Sequence, residues 1–600
     1  MLDRVRQRIL DLTGAHSVGA SVLIQPLWNG YGTLSRVHLE GGTHSSVIVK
    51  RIAIPDHLVH PRGFANTVSR DRKVRSYRVE THWYEHGNAH VPDAAPTPRC
   101  LGAFVEGGER FLVLEDLTTR GYDRVVARAQ PAEIAAVLGW LAAFHAQHLY
   151  DKAEGLWPNG TYWHLQTRPD ELAAIEGTRM HRFASLLDAR LRCGAFPTVV
   201  HGDAKLANFL FSEDGRGVAA VDFQYVGRGA AMKDVAYFVG SCLNGPDCER
   251  QEGALLEAYF SALRAHLPAA VDAAALEAEW RSLYPVAWAD FERFMMGWSP
   301  GHRKRTGYSD ATSDRAIDAI GVELLGAARD ACRAAGAFIM SNRHRPIEVA
   351  SKGFESRASD VVTEIDIAAQ VIIMERLQRT IDRYDLGVLA EEGTHDDSRL
   401  RKHAFWAVDP LDGTQCFIEG RSGFATSIAL VSQQGDPVLG VVYDPVNDRM
   451  YEAVRGAGVT MNGEPLSVMQ PQRRTSKTVW FADRSLTAHP NFEAHASNFE
   501  VRFVGGAVMN GIHVLTTPNS VYAKPPKAEL GGCAIWDLAA VALMVEEHGG
   551  RVQTHEGQRL SMNRAETVYF NDAGFLMSSL DANARVVLAR IHGSHGPSLQ

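Results

Sequence analysis

The sequence predicts a two-domain α/β (α+β) protein, on three observations. The chain has 600 residues, more than one hydrophobic core normally organises, and its 45% apolar and 22% charged content is that of a globular protein. The first half opens on short alternating segments and continues as long helical patterns. After the polar, glycine-bearing stretch "GWSPGHRKRTGYSDATS" a second pattern begins, with different motifs in a different order. The expected domains are 1–300 and 317–592, with a linker at 301–316 and a flexible tail at 593–600. No internal repeat relates the two halves.

The elements follow in order. Residues 20–54 read as strand, turn, strand, turn, strand: "LSRVHLE" and "SVIVKRI" alternate apolar and polar residues, the two-residue period of a half-buried strand. "KVRSYRVETHWYEHG" (73–87) has helical spacing and stops on Gly87. "RFLVLEDL" (110–117) is a further strand and "AEIAAVLGWLAAFHAQHL" (132–149) a long buried helix. "FPTVVHGDAKLANFLF" and "VAAVDFQYVG" form a strand–loop–strand pair. In the second half, "AIGVELLGAARDACRAAGAFIM" (319–340) starts a new amphipathic helix.

Composition excludes several classes. A net charge of −8 gives no reason to expect a nucleic-acid polymer or an anionic membrane as partner. The basic run "HRKRTGY" (302–308) is expected to be a solvated linker. The seven cysteines contain no CxxC pair, which indicates reduced, cytoplasmic usage and no zinc knuckle. "MLDRVRQRIL" has no apolar run and no stretch reaches 18 apolar residues, so neither a signal peptide nor a membrane span is expected.

The first half carries one set of chemical groups. Lys50 ends a predicted strand, and Gly30 and Gly32 lie in the preceding turn, where a backbone can approach phosphates closely. Glu80 falls on the following helix, placed to hold Lys50 as an ion pair. Asp203 sits in "HGDAKLAN", Asn208 follows it, and Asp222 opens "DFQ" at the end of the next strand. A lysine for phosphates, two oxygen ligands for magnesium and an aspartate to accept a hydroxyl proton are what phosphoryl transfer needs. This order, with "SYRVETHWY", "VVHGDAKLANFLF", "AAVDFQYVGRGAAMKDVAYF" and "FERFMMGW", resembles the aminoglycoside phosphotransferase/choline-kinase-like family, including its ecdysteroid-kinase-like branch. The resemblance implies a bilobal protein-kinase-like fold and ATP as phosphoryl donor. It also implies a small-molecule hydroxyl acceptor, Asp203 as catalytic base, and Asn208 and Asp222 as magnesium ligands. Tyr162 and Trp163 are expected to pack rather than to cradle a cation.

The second half carries four acidic clusters: "SDVVTEID" (359–366), "LAEEG" (389–393), "VDPLDGT" (408–414) and "IWDLAA" (535–540). They offer Asp366, Glu391, Asp409, Asp412 and Asp537. Carboxylates converging in one pocket repel unless cations neutralise them, and oxygen-only ligation suits magnesium. Clustered magnesium serves attack of water on a phosphate. Pro410 stiffens the turn between Asp409 and Asp412. The N–H groups of Gly413 and Thr414 can hold phosphate oxygens, and the Thr414 hydroxyl can orient the water.

These clusters, with "GVVYDPVNDRMYEAVRGAGVTMNG", resemble the inositol monophosphatase superfamily, which includes the 3′(2′),5′-bisphosphate nucleotidases. The resemblance implies an αβαβα layered fold, magnesium dependence, lithium inhibition and a homodimer. By position it makes Glu391, Asp409, the Leu411 carbonyl, Asp412 and Asp537 metal ligands. Asp366 would serve a third metal or its water, and Thr414 would help activate that water. Two departures stand out. Cys416 replaces the asparagine of the inositol branch and is expected to pack as a small hydrophobe. In "VYAKPPKAELGGCAIWD" that branch's hydroxyl-binding glutamate is missing, and Lys524 and Lys527 favour a second anionic group on the substrate, unless Glu529 takes the acidic role.

The sequence thus predicts an ATP-dependent small-molecule kinase fused to a magnesium-dependent phosphomonoesterase acting on inositol phosphate, sugar phosphate or 3′,5′-bisphosphate nucleotide. Two alternatives remain open: an active phosphatase with a kinase-like binding module, and a tailoring or resistance enzyme for an aminoglycoside or cyclitol product.

Overall fold

The structure, a computed structural model, describes residues 3–54, 67–88, 91–345, 349–351, 361–467, 477–488 and 492–579. The expected tail at 593–600 and the end of the second domain lie outside the described residues. The chain divides into two compact units, Met1–Ile317 and Asp318–Gln600.

The first unit opens with an antiparallel five-stranded sheet in the order Ser17–Pro26, Gly32–Glu40, Ser46–Ile52, Glu109–Glu115, Cys100–Glu106. Alternation puts Val37, Val47, Val49 and Val113 on one buried face against Val5 and Ile9 of the helix Asp3–Thr13. Helix Thr67–His82 follows, and a π turn, Trp83–Gly87, ends it. The rest is helical. Pro131–Gln147 starts on a proline, its Gln130 N–H donating to Glu133 Oε2 at 2.7 Å, and is buried along most of its length. Pro169–Ala173, Arg179–Arg192, Met232–Cys242, Gly245–His266 and Ala273–Trp298 follow it. Two short strand pairs, Thr198–Val200 with Gly227–Gly229 and Phe209–Phe211 with Val218–Ala220, hold the loops that carry "HGDAKLAN" and "DFQ".

Three expectations need correction. Lys50 lies within its strand, paired with Leu34 and Leu112, rather than at its end. The expected linker at 301–316 is largely helical, because one helix runs over Gly307–Asn342. The start signal is Thr306: its Oγ1 accepts from Ser309 N–H at 3.2 Å, while Thr306 N–H donates to Ser309 Oγ at 2.7 Å. The basic run is not simply solvated either. Arg305 pairs with buried Glu292, Tyr308 donates to Glu252 Oε2 at 2.6 Å, and the Lys304 ammonium rests 4.5 Å above the Tyr237 ring.

The second unit contains a seven-stranded sheet running from Gly387–Ala390 through Ala404–Asp412, Ala425–Ser432, Pro437–Asp444, Arg449–Val454 and Gly458–Met461 to Glu464–Pro465. A five-stranded sheet has the order Glu500–Arg502, Val479–Phe481, Ser520–Lys524, Phe575–Ser578, Arg551–Thr554. Helices Ala507–Thr516 and Ile535–Glu547 share one apolar core with both sheets. Every residue of Ala404–Asp412 is buried, which explains its continuous apolar run. Asp409 and Asp412 sit in this strand rather than on a turn, and a register shift between them marks a bulge. Among the described residues no helix is long and apolar enough to cross a membrane.

Candidate active sites

In the first unit the predicted groups meet. Lys50 Nζ lies 2.6 and 2.8 Å from the two Glu80 carboxylate oxygens and 3.4 Å from Asp222 Oδ1. Lys50 is 5% and Glu80 2% exposed, so the pair is desolvated and depends on its own charge balance. Burial alone would lower the lysine's affinity for its proton, but Glu80 and Asp222 outweigh it and raise the pKa. Gly30 and Gly32 flank the fully buried Tyr31 where the chain enters strand Gly32–Glu40, one strand earlier than the expected turn before Lys50.

The "HGD" loop is held from below. Asp234, fully buried, accepts the N–H groups of His201 at 2.6 Å and Gly202 at 2.9 Å, and His145 Nε2 lies 3.2 Å from it. His201 Nε2 donates to Val221 O at 3.0 Å, and its Nδ1 accepts the Asp203 N–H at 3.2 Å. Gly202 has φ +81°, and a Cβ there would fall 2.1 Å from Tyr225 O, so no side chain fits. Asp203 Oδ2 accepts from Lys205 Nζ at 2.7 Å and Asn208 Nδ2 at 3.1 Å. Its Oδ1 is buried with no partner at ordinary hydrogen-bond geometry, and the Tyr237 phenol lies close enough for Asp203 to raise its pKa.

Asp222 adopts φ +69°, which costs energy for a non-glycine residue and is the kind of strain active sites retain. Burial works against its charge, but Lys50, Lys205, Lys73 and His201 hold its pKa down to about 2. Gln224 donates to it at 2.6 Å and accepts from Lys73. Asn208 spends its Nδ2 on Asp203, and its backbone carbonyl accepts the Val221 N–H at 3.0 Å, which ties Asn208 to the loop that carries Asp222. Sequence reasoning missed Asp234, Lys205 and Gln224. All three stand within the quoted motifs, but only the fold shows which loop each one holds. Tyr162 and Trp163 pack as expected, in an aromatic cluster with Tyr237, Phe291 and Phe294.

In the second unit, Asp409, Asp412 and Asp537 bring carboxylate oxygens within 4.8 Å of one another, all buried. Burial, then the mutual repulsion of these groups and Glu391, raises Asp409 and Asp412 well above the usual carboxylate range and pushes Asp537 up to about 7. Glu391 reaches the site because its N–H donates to Val408 O at 3.0 Å, beside Asp409. Asp412 accepts the Ala507 and Val508 N–H groups, both at 2.9 Å, at the start of Ala507–Thr516. A Cβ on Gly506 would meet Asp412 Oδ2 at 2.3 Å, so this approach needs glycine. Asp537 caps its own helix by accepting Ala534 N–H at 2.6 Å. Asp409 Oδ1 accepts Leu411 N–H at 3.0 Å, while its Oδ2 is buried and accepts no hydrogen bond. An orphaned carboxylate oxygen among like charges, in an oxygen-only donor set, fits a hard divalent cation such as magnesium.

Thr414 Oγ1 lies 3.0 Å from Asp366 Oδ1 and 3.1 Å from Leu411 O. Asp366 is itself fixed by Thr363, whose N–H donates to Oδ2 at 2.9 Å, and burial raises its pKa. Gly413, at φ 82°, precedes the short helix Thr414–Ile418. Cys416 is buried, as expected of a packing residue. The Lys524 ammonium is not available as anticipated: it pairs with Asp483, which also accepts from Asn510 Nδ2 at 2.7 Å. Lys527 is half-buried, and its N–H donates to Asn571 O at 2.7 Å; Glu529 is exposed.

Each unit therefore defines a carboxylate-lined centre for phosphate chemistry, one organised by a buried lysine–glutamate pair and the other by an acidic triad. Comparison with known proteins gives the families. Residues 322–594 match the inositol monophosphatase family and residues 24–274 the phosphotransferase enzyme family. The chain is 28% identical over 226 residues to an inositol-1-monophosphatase of Bacillus subtilis (strain 168), covering 38% of this chain and 83% of that protein. It is 32% identical over 248 residues to the Nus factor SuhB of Escherichia coli (strain K12), covering 39% and 86%. A solved structure of the extragenic suppressor protein suhB from Bartonella henselae shares 27% identity, covers 45% of this chain and 98% of that one, and has a TM-score of 0.37. The chain belongs to the inositol monophosphatase family through its second half and carries a phosphotransferase-family domain in its first; both are enzyme families.

Proposed function

We propose that the chain is a bifunctional enzyme. Its first unit transfers a phosphoryl group from ATP to a small-molecule hydroxyl, and its second hydrolyses a phosphate monoester with magnesium. The observation that carries this reading is the pair of orphaned carboxylate oxygens, Asp203 Oδ1 and Asp409 Oδ2, each buried at the heart of its site. Both the inositol monophosphatase and the phosphotransferase families work with magnesium, the latter with ATP.

In the first unit, Lys50, fixed by Glu80, presents its charge to the donor's phosphates, and Gly30 and Gly32 let the turn approach them. Asn208 and Asp222 would hold magnesium, which offsets the charge of the phosphate oxygens. The acceptor hydroxyl gives its proton to Asp203 Oδ1 as its oxygen bonds to the transferred phosphorus, and ADP departs. Lys205 and Asn208 keep Oδ2 occupied, so the proton goes to Oδ1.

In the second unit, Glu391, Asp409, the Leu411 carbonyl, Asp412 and Asp537 would hold magnesium, which lowers the pKa of water and withdraws charge from the phosphate. Asp366 accepts a hydrogen bond from Thr414, so the hydroxyl oxygen of Thr414 can in turn accept from the attacking water and set its direction. Gly413 and Thr414 N–H groups hold phosphate oxygens. Asp483 neutralises Lys524 and so removes much of the argument for a second anionic group. Inositol phosphates and sugar phosphates therefore stand level with bisphosphate nucleotides as substrates.

Phosphate release by the full chain with magnesium tests this reading, across inositol phosphates, sugar phosphates and adenosine 3′,5′-bisphosphate, with and without lithium. Magnesium-dependent, lithium-sensitive release from one class is expected. No release from any member would remove the second activity from the account.

A further inference from the structure

Where the acceptor must lie, on the Asp203 side of the first site, the charges are not those a cationic molecule needs. The Lys304 ammonium rests over the rings of Tyr237 at 4.5 Å and Phe291 at 5.6 Å. Tyr237 is joined through its hydroxyl to Tyr162 at 3.1 Å, and Asp203 acts on both phenols, adding to burial in raising their pKa values. Lys304 is half-buried, and no carboxylate or carbonyl bonds its ammonium among the described residues. Its electrostatic neighbours are Asp203, Lys205, Arg303 and Cys242, and Lys205 already neutralises Asp203 Oδ2 at 2.7 Å.

Three buried acids near this aromatic cluster and the basic stretch are already paired. Asp290 is fully buried and is shared by Arg293 at 2.9 Å, Trp163 Nε1 at 3.1 Å and Lys233 at 3.2 Å. Glu292 is taken by Arg305, and Glu171 by Arg168 at 3.1 Å. Among these described residues, an amine-bearing acceptor would find each carboxylate already paired, Asp203 by Lys205, and would meet Lys304 and Lys205 as like charges. An anion would find an ammonium that is poorly solvated and lacks a counter-ion. Burial, chiefly, brings the Lys304 pKa down to about 8, so an anion beside it would favour its charged form.

We propose that the acceptor carries an anionic group, a phosphate monoester or a carboxylate, and that Lys304 receives it while the hydroxyl to be phosphorylated faces Asp203. This deepens the kinase reading and rests on it. The aromatic floor of Tyr162 and Tyr237 then lies along the apolar face of the acceptor, and specificity comes from a residue in the basic stretch after Ala273–Trp298.

Calorimetric titration of the full chain, in EDTA and without ATP, tests the site with matched ligands: glucose, glucose 6-phosphate, glucuronate and glucosamine, and myo-inositol against its 1-phosphate. An anionic ligand is expected to bind about tenfold or more tighter than its neutral parent, as a charge-assisted contact allows. Lys304→Met should abolish that ratio and leave the neutral parent's affinity in place; Lys304→Arg should keep it. Whether glucose 6-phosphate or glucuronate gains more separates phosphate from carboxylate. Equal or tighter binding of glucose or glucosamine, an unchanged ratio in Lys304→Met, or an equal loss for all ligands overturns the proposal. ADP formation with magnesium-ATP on the same ligands separates the two levels. ADP from neutral or amine acceptors alone would leave the kinase standing and Lys304 misassigned. Anion binding through Lys304 with no ADP from any ligand would refute the kinase reading, and the acceptor assignment with it.

Discussion

Replacing Lys50 by Met isolates the buried pair at the centre of the first site. The change keeps the stem of the side chain and removes its charge. Glu80, 2% exposed, then loses contacts at 2.6 and 2.8 Å, and Asp222 loses one at 3.4 Å. Breaking one partner of a buried pair costs about 3–5 kcal/mol, and both exposures place this pair in that class. Burial already raises the Glu80 pKa with Lys50 present, and losing Lys50, which lowers it, raises it further. Its folded pKa then lies above the unfolded value. Stability from this group is present at low pH and is lost as pH rises through the folded pKa, so the deficit of Lys50→Met widens as pH rises above the ordinary carboxylate range. The double variant Lys50→Met/Glu80→Leu leaves no uncompensated charge between the two, and Asp222 keeps Lys205 and Lys73 nearby. It should be more stable than Lys50→Met by about 2 kcal/mol or more, a coupling typical of direct contact. Urea unfolding followed by the fluorescence of buried Trp83, Trp140, Trp163 and Trp280 reads this half. A Lys50→Met midpoint equal to wild type, or a double variant no more stable than the single, would refute the reasoning. Neither variant should regain phosphorylation, because stability returns without the phosphate-binding charge.

The acidic triad of the second unit gives a pH signature. Asp537 folds with a pKa of about 7, above its unfolded value near 3.9, so in EDTA this unit loses stability as pH rises between them. Magnesium should cancel that loss, and calorimetric scans at about pH 5 and about pH 8 with and without the ion check it. Thr414→Val removes the hydroxyl 3.0 Å from Asp366, and the turnover number for phosphate release should fall about 10²–10⁴-fold with the magnesium requirement little changed. Gly202→Ala forces a Cβ to within 2.1 Å of Tyr225 O at φ +81°, and should cost about 1–3 kcal/mol or displace Asp203, read as lost ADP formation.

Much of both sites was legible because their chemistry is written in short local spacings. Asp203 and Asn208 stand five apart and do meet, at 3.1 Å; Asp409 and Asp412 stand three apart and share the triad. Lys50 and Glu80 were separable from the background only as members of an ordered set. What the sequence hid are partners chosen by packing. Asp412 is held by N–H groups 95 and 96 residues away, and Gly202 by an aspartate 32 residues on. Asp483, which claims Lys524, belongs to a neighbouring strand's exit and has no motif around it. Only the first turns of the helix Gly307–Asn342 read as linker, because they are polar, although Thr306 and Ser309 spell its cap; the stretch 319–340 is legible as helix. Lys304 reads as solvated because it stands in a short basic run.

The central claim is that two independent sites in one chain do opposite phosphate chemistry. It is tested most directly by measuring ADP formation and phosphate release side by side in the wild-type chain, Asp203→Asn and Asp409→Asn. The account predicts that Asp203→Asn loses ADP formation and keeps phosphate release, and that Asp409→Asn does the reverse. Loss of both activities in either variant would contradict it.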